Sequence, residues 1–235
     1  MDDAILAERS GAACAAQSVE LWFAQLDDLS VHIPEGNLSG SFGRRDPKRD
    51  RAISHQLLRQ LLARRNGCTP ADLVFAKGAH GKPALAGAGT AFSLSRSNGV
   101  TLIGISDAAA IGVDVEFCKP VDEQNGITDM FHPRERAFLN GMKPAERLHW
   151  FYRIWTRKEA VLKATGTGLL RALDSFSVVG HPTEFGARTS LSGHHFFLYD
   201  LTLPGGAVGA LATTENASVP QVRLCTGPLA GQGTA

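Results

Sequence analysis

The strongest constraint on the fold is an order of secondary structure that occurs twice along the 235 residues. In each half, apolar residues at helical spacing precede short segments that are rich in β-forming residues and are separated by turns. The helical segments are residues 46–65, 133–140 and 144–164. We therefore predict an α+β fold of two similar halves, each with a small antiparallel sheet, related by pseudo-twofold symmetry.

We place the boundary between the halves at Phe117, which divides the chain into residues 1–117 and 118–235. A single α+β domain with a coincidental order is the alternative. Residues 27–43, which contain several glycines, are expected to form a long loop. The predicted strands are 19–23, 91–94, 100–106 and 111–117, of which the last three form a meander, and then 176–179, 195–203, 207–213 and 221–225.

Composition and the N-terminus exclude several classes of protein. No apolar run approaches the roughly 20 residues of a membrane span, and the acidic start lacks the pattern of a secretory signal, so a cytoplasmic protein is expected. The four cysteines lie at least 50 residues apart, which disfavours a zinc site or a disulfide framework. The eight histidines are scattered and suggest no metal site of their own.

Two carboxylates occupy alternate positions of a predicted strand. Asp114 and Glu116 would share one face about 7 Å apart, while Val113 and Val115 face the core. Paired carboxylates repel each other unless a cation lies between them, and they suit a hard cation such as Mg²⁺. The alternative is a solvated face that carries two acids.

A second group of charged residues follows a helical stripe. Trp155, Glu159 and Lys163 are spaced at i, i+4 and i+8, so they share one face of the helix. The two charged residues could form a surface ion pair. A tryptophan usually faces the interior, however, so this stripe is expected to lie in a partly buried region. An acid and a lysine there need partners.

Positive charge is concentrated in one segment. Residues 44–65 hold eight Lys and Arg residues against two Asp, a net charge of 8 − 2 = +6, whereas the whole chain has a formal charge of +1. Such a segment can be a solvated helix face, or it can bind phosphate, nucleic acid or an acidic protein. Lys82 and Arg96 add cations in predicted turns, where backbone N–H groups could also hold phosphate.

These residues together resemble a known family. Gly112-Val113-Asp114-Val115-Glu116 and Trp155-x-x-Lys158-Glu159-Ala160-x-x-Lys163-x-x-Gly166-x-Gly168-Leu169 are similar to the signature pair of 4′-phosphopantetheinyl transferases of the Sfp-like branch. The long second motif is the more specific. The resemblance extends from about Val19 to Thr213 and is supported by Gly81-Lys82-Pro83, Phe92-x-Leu94-Ser95 and Phe131-x-Pro133-x-Glu135.

The resemblance implies an activity and a set of partners. The family transfers 4′-phosphopantetheine from coenzyme A to a serine of an acyl or peptidyl carrier protein and releases 3′,5′-ADP, as in holo-[acyl-carrier-protein] synthases. It implies Mg²⁺, or Mn²⁺, as the metal. Coenzyme A and an acidic carrier protein would be the partners of a monomeric enzyme that binds neither nucleic acid nor membrane.

The resemblance also implies roles for individual residues. Asp114, Glu116 and Glu159 would hold the metal, with Glu159 and Lys163 catalytic. The coenzyme A ligands would be Arg51, Lys82, Pro83, Ser95, Arg96, Lys158 and Lys163.

This chain departs from the family pattern at two places. Ser93 and Arg96 stand where the family has Asn and His in Asn-x-Ser-His-Ser, so a permanent cation replaces a titratable one. Residues 29–43 lack the usual helix with paired arginines. A non-catalytic module that binds coenzyme A or a carrier protein is therefore an alternative. A nucleic-acid binder is a third interpretation, although the basic helix lacks interleaved aromatic residues.

The carrier protein is expected to dock in a groove between the halves, close to the metal site. Met130, Phe131 and the helix that begins at Pro133 are placed to border this groove. A core position for Phe131 is the alternative, since aromatic residues are usually buried.

Overall fold

The computed structural model describes residues 19–29, 46–78, 81–87, 89–107, 110–119, 126–167, 171–180, 182–183, 186–214 and 221–226. Most of the predicted loop 27–43 lies outside this part of the chain. The helices are α1 (Pro47–Asn66), α2 (Pro133–Asn140) and α3 (Pro144–Thr165). The strands are β1 (Val19–Gln25), β2 (Phe75–Lys77), β3 (Pro83–Leu85), β4 (Ala91–Ser97), β5 (Val100–Ser106), β6 (Ile111–Phe117), β7 (Pro182–Thr183), β8 (Gly186–Leu191), β9 (His194–Thr202), β10 (Ala207–Thr213) and β11 (Val222–Cys225).

The strands form two main sheets and one hairpin, so the mixed α+β class is confirmed. The first sheet has the order β11-β1-β5-β4, in which only the β11–β1 pair is parallel. The second sheet has the order β6-β10-β9-β8-β7 and is antiparallel throughout. Strands β2 and β3 pair separately with each other.

The two sheets lie between the helices, and three apolar clusters fill the spaces. The buried face of α1, including Leu57 and Leu61, packs on one face of the first sheet. The opposite face of that sheet, with Leu21 and Phe23, packs against the second sheet. Helices α2 and α3 cover the outer face of the second sheet. Side chains alternate between the two faces of β1. Trp22 packs into the cluster under α1, and its neighbours Leu21 and Phe23 pack into the cluster between the sheets.

The sheets do not part at residue 117, where the sequence analysis places the boundary. Strand β6 pairs with β10 of the second sheet, so the predicted meander of three consecutive strands is wrong in its last strand. Strand β11 crosses in the other direction and joins the first sheet. Val113 and Val115 stay in the core between the sheets, and this apolar pattern would be satisfied in either sheet.

Local sequence signals account for the ends of the helices. At the start of α1, the Asp46 side chain accepts a hydrogen bond from the Lys48 amide, and Pro47 is the first helical residue. Gly67 ends α1 in the left-handed conformation with φ of 65°. Gly166, with φ of 73°, ends α3 in the same way. The predicted strand 176–179 is wrong, because the Val178 amide donates to the Glu135 carboxylate and not to a neighbouring strand.

The closest approach of α3 to the second sheet occurs at Gly112 of β6. A Cβ atom at this position would lie 1.9 Å from the Ala160 carbonyl oxygen and 2.5 Å from the Ala164 amide nitrogen. The helix backbone therefore rests on the strand backbone, and only glycine permits this distance. None of the helices in the described ranges combines the length and the apolar character that a membrane span requires.

We predict that Gly112→Ala lowers the free energy of unfolding by about 2 kcal/mol or more, because α3 must move away from β6. Gly89→Ala is the control, since a Cβ there meets no atom within 4 Å. It should change stability by less than about 0.5 kcal/mol. Urea denaturation of the two variants measures the difference, and equal stabilities would show that the contact at Gly112 is not tight in solution.

Candidate functional site

The acidic residues of β6 lie where the edges of the two sheets meet. Asp114 faces away from the valine core and is only 3% exposed. Its Oδ1 atom accepts from the Ser95 hydroxyl at 2.7 Å and from the Lys163 ammonium group at 2.6 Å. Strand β4, helix α3 and strand β6 thus converge on one carboxylate oxygen.

Alternate serines of β4 line the side of this site. Ser95 lies between Ser93, whose hydroxyl accepts from the Val113 amide, and Ser97, whose hydroxyl donates to the Glu116 carboxylate. The strand alternation places all three hydroxyls on the face that meets β6. The Ser-x-Ser-x-Ser spacing was a signal for this stripe, although only Ser95 was predicted as a site residue.

Helix α3 contributes Glu159 and Lys163 to the same site. The Lys163 ammonium group also donates to the Ser95 hydroxyl at 2.8 Å. The Trp155 ring is half-buried and stacks on Phe131 at 6.4 Å between centroids, so this stripe of the helix faces the interior as predicted. Two oxygens near Lys163, Asp114 Oδ2 and Glu159 Oε1, are buried without a hydrogen-bond partner among the described residues.

The three carboxylates carry more buried negative charge than Lys163 compensates. Burial raises the pKa of Asp114, and the Lys163 ammonium group opposes this rise. Burial also raises the pKa of Glu116. The pKa of Glu159 is raised by burial and then by the negative charges of Asp114 and Glu116. A further cation among these groups would stabilise their ionised forms.

The carboxylate oxygens of this site are suitable ligands for a hard divalent cation, but the three side chains do not converge on one point. Among the described residues, no group of three or more His, Cys, Asp or Glu side chains forms a metal cluster. Asp114 Oδ1 is occupied by Lys163. The two oxygens on Asp114 and Glu159 that have no hydrogen-bond partner within the described ranges are of the type that Mg²⁺ and Mn²⁺ prefer.

A cavity of about 710 Å³ adjoins the carboxylates. Its walls are α1, the β2–β3 hairpin, β4 and the last turns of α3. The structure brings five of the residues predicted for coenzyme A to this cavity: Arg51, Lys82, Pro83, Arg96 and Lys163. Since Lys163 lines the cavity and also bonds Asp114, the cavity and the carboxylate site form one continuous site.

Three basic residues of this cavity were not among the predicted site residues: His55, Arg59 and Lys77. The first two continue the stripe of Arg51 along α1 at i+4 and i+8, so helical spacing was a usable signal. The Arg59 guanidinium group packs over the Phe75 ring at 5.1 Å and donates to the Leu73 carbonyl at 3.1 Å, which fixes the hairpin against the helix.

The positive charges at one end of the cavity repel each other. Burial lowers the pKa of Arg96, and the Arg51 charge lowers it further. The pKa of His55 is lowered by burial, then by Arg96 and Arg51. Arg96 is held in place by a bond from its Nη1 atom to the Ser54 hydroxyl at 3.1 Å. An anion bound here would relieve the repulsion, so this end of the cavity is suited to phosphate.

The Lys82 ammonium group points into the protein. It donates to the Ile111 carbonyl at 3.0 Å and to the Ala164 carbonyl at 3.4 Å. Burial lowers its pKa to about 8. The residue therefore lines the cavity while its charged end binds backbone carbonyls.

The structure does not bring Lys158 to the site, in contrast to the predicted coenzyme A ligand. Successive helical residues are rotated by about 100°, so Lys158 faces α2 while Glu159 faces β6. Lys158 is fully buried, and its ammonium group bonds the Glu135 carboxylate at 2.8 Å and the carbonyls of Leu173 and Phe176. Glu135 also accepts from the Val178 and His132 amides. This buried ion pair ties α2, α3 and the segment after α3 together.

The two residues predicted to border a docking groove, Met130 and Phe131, differ in their exposure. Phe131 is fully buried and stacks on Phe151 at 5.5 Å between centroids, so it is a core residue. Met130 is 56% exposed and stands in the turn that precedes α2. Of the pair, only Met130 is available to a partner.

Comparison with known proteins gives one consistent result. Residues 110–209 match the model of the 4′-phosphopantetheinyl transferase superfamily. The 4′-phosphopantetheinyl transferase HetI of Nostoc sp. is 30% identical over 168 residues, which are 68% of this chain and 70% of that protein. AcpT of Salmonella typhimurium is 35% identical over 57% of this chain and 69% of that protein. Sfp of Bacillus subtilis is 32% identical over 53% and 55% of the two chains. Three further relatives are matched over about half of their length.

Proposed function

The chain belongs to the 4′-phosphopantetheinyl transferase superfamily, and on this premise we propose that it transfers 4′-phosphopantetheine from coenzyme A to a serine of an apo acyl or peptidyl carrier protein, releasing 3′,5′-ADP. One observation carries the proposal. Lys163 bonds a carboxylate of the candidate metal site and lines the cationic cavity, so the phosphates of a cavity-bound substrate would lie beside the carboxylates.

The cavity has the size and charge for the nucleotide end of coenzyme A. Its volume is within the range of roughly 300–1,000 Å³ that is common for small-molecule sites. Arg51 and Arg96 would bind a terminal phosphate, because their positive charges lie close enough to repel each other, and the ring of His55 beside them would add a hydrogen bond. Apolar residues such as Leu58 and Phe75 would contact the adenosine.

The carboxylates would hold Mg²⁺ or Mn²⁺ through Asp114, Glu116 and Glu159. When bound, the cation would withdraw negative charge from the pyrophosphate of coenzyme A. Lys163 would add a hydrogen bond from its ammonium group to a pyrophosphate oxygen, in exchange for its bond to Asp114. Phosphoryl transfer depends mainly on such positioning and neutralisation of charge.

The acceptor serine would attack the β-phosphorus of coenzyme A. A bond forms between the serine Oγ and this phosphorus, and the bond from the phosphorus to the 3′,5′-ADP oxygen breaks. Glu159 would accept the serine proton, since its Oε1 atom is buried and has no hydrogen-bond donor in the described part of the chain. Lys163 would stabilise the negative charge that develops on the leaving group.

A module that only binds coenzyme A is the second candidate, and the carboxylates argue against it. Buried carboxylate oxygens that find no partner among the residues described cost free energy, and their removal would not impair a site that binds phosphate through cations alone. Their presence beside Lys163 is explained by a metal-assisted reaction.

Glu159→Gln and Asp114→Asn should each lower the rate of transfer by about a hundredfold or more, because the metal loses a charged ligand. Mass spectrometry of an apo carrier protein incubated with coenzyme A, Mg²⁺ and the enzyme measures transfer. Calorimetry with Mn²⁺ alone should show weaker binding in both variants. Glu146→Gln is the matched control, since this glutamate is exposed in the first turn of α3. Unchanged transfer in both site variants would refute the metal role, and no transfer by the unaltered protein would refute the function.

Arg96→Ala should raise the KM for coenzyme A about tenfold, because a charge-assisted bond to its 3′-phosphate is lost. Dephospho-coenzyme A lacks this phosphate and serves as the control substrate, so its KM should change little. Steady-state kinetics with both substrates measures the difference. An equal rise in both KM values would place the Arg96 contact elsewhere on the substrate.

The carrier protein would dock beside α2 through Met130. Met130→Asp should raise the KM for the carrier protein about fivefold, because an apolar contact is lost and an acid then faces an acidic partner. The KM for coenzyme A and the melting temperature should stay unchanged. Leu224→Asp is the control, because this residue is 53% exposed on the edge strand β11. Equal effects of the two substitutions would rule out docking at Met130.

A further inference from the structure

Lys82 stands in the turn of the β2–β3 hairpin but acts on two distant elements. The turn is closed by a bond from the Gly78 amide to the Lys82 carbonyl at 2.8 Å. From this fixed point the side chain reaches the first residue of β6, Ile111, and the last turn of α3 at Ala164. One ammonium group therefore connects the wall of the cavity with the two elements that carry the carboxylates.

The bond to Ala164 has a clear physical basis. The last four carbonyls of an α-helix have no partner within the helix and carry the negative end of its dipole. Ala164 is one of them in α3, which ends at Thr165. The ammonium group of the half-buried Lys82 satisfies this carbonyl and offsets the dipole.

The two acceptors of Lys82 flank the closest contact between helix and strand. Ile111 precedes Gly112, and Ala164 is one of the two residues that a Cβ at Gly112 would strike. Lys163 directly precedes Ala164, and Asp114 follows Gly112 by two residues. The distance between α3 and β6 thus sets the 2.6 Å bond between Lys163 and Asp114.

We infer that Lys82 is a positioning residue, which holds the end of α3 against β6 so that Lys163, Glu159 and Asp114 meet. The inference rests on the proposed function for its effect on transfer. It differs from the role that the resemblance implies, in which Lys82 binds the coenzyme A phosphates directly. A direct ligand would present its ammonium group to the cavity, whereas that of Lys82 is engaged by two backbone carbonyls.

The deciding variant is Lys82→Met, which keeps the length of the side chain and removes its donors. At saturating coenzyme A, kcat should fall about tenfold, while the KM for coenzyme A changes less than about threefold. Lys77→Met is the matched variant, because Lys77 is exposed on the same hairpin and lines the same cavity. It should raise the KM and leave kcat nearly unchanged. A raised KM with unchanged kcat in Lys82→Met would overturn the inference and show a direct ligand.

Hydrogen–deuterium exchange of the intact protein tests the same point without transfer. Lys82→Met should speed exchange in peptides that cover residues 160–167 and 110–114, and not in those that cover β9. Exchange that is unchanged, or that rises equally in all peptides, would refute a positioning role. If Lys82→Met does not fold, Lys82→Gln is measured instead, since its amide can still donate to one carbonyl. A protein that transfers nothing refutes the proposed function, while the exchange result still decides the role of Lys82.

Discussion

The contact between α3 and β6 is the constraint on which the site depends. The helix backbone approaches the strand backbone at Gly112 more closely than any side chain would allow. This approach brings Lys163 within 2.6 Å of Asp114 and leaves oxygens of Asp114 and Glu159 buried without hydrogen-bond donors from the part of the chain that the structure describes. The carboxylates are costly to bury, so the packed helix and strand must supply the stability that keeps them together.

Three lysines show how one residue type serves different purposes in this fold. Lys158 is fully buried and paired with Glu135, which joins α2 and α3 within the core. Lys82 binds carbonyls of β6 and α3 from the hairpin. Lys163 alone of the three bonds a carboxylate of the site and lines the cavity. Each ammonium group has hydrogen-bond acceptors around it. These acceptors favour its charged form, which burial alone would disfavour.

The first sheet contributes a wall of the cavity, and the second sheet carries two of the carboxylates. The cavity and the carboxylates form one site because the edges of the two sheets meet. Strand β4 ends the first sheet and brings Ser95, Ser97 and Arg96. Strand β6 ends the second sheet and brings Asp114 and Glu116. A substrate that spans this junction would have its terminal phosphate held by cations of the first sheet and α1, and its pyrophosphate beside Lys163 of α3.

The helices, most of the strands and several of the residues that the structure gathers at the candidate site were predictable from the sequence alone. Asp46, Gly67 and Gly166 mark helix ends through local bonds and backbone conformation, and local rules are readable from the chain. Three features follow only from the packed fold: β6 joins the second sheet, Lys158 pairs with Glu135, and Phe131 is buried while Met130 is exposed. The physical reason is that an apolar strand fits either sheet and that a lysine next to a site glutamate on a helix faces about 100° away from it.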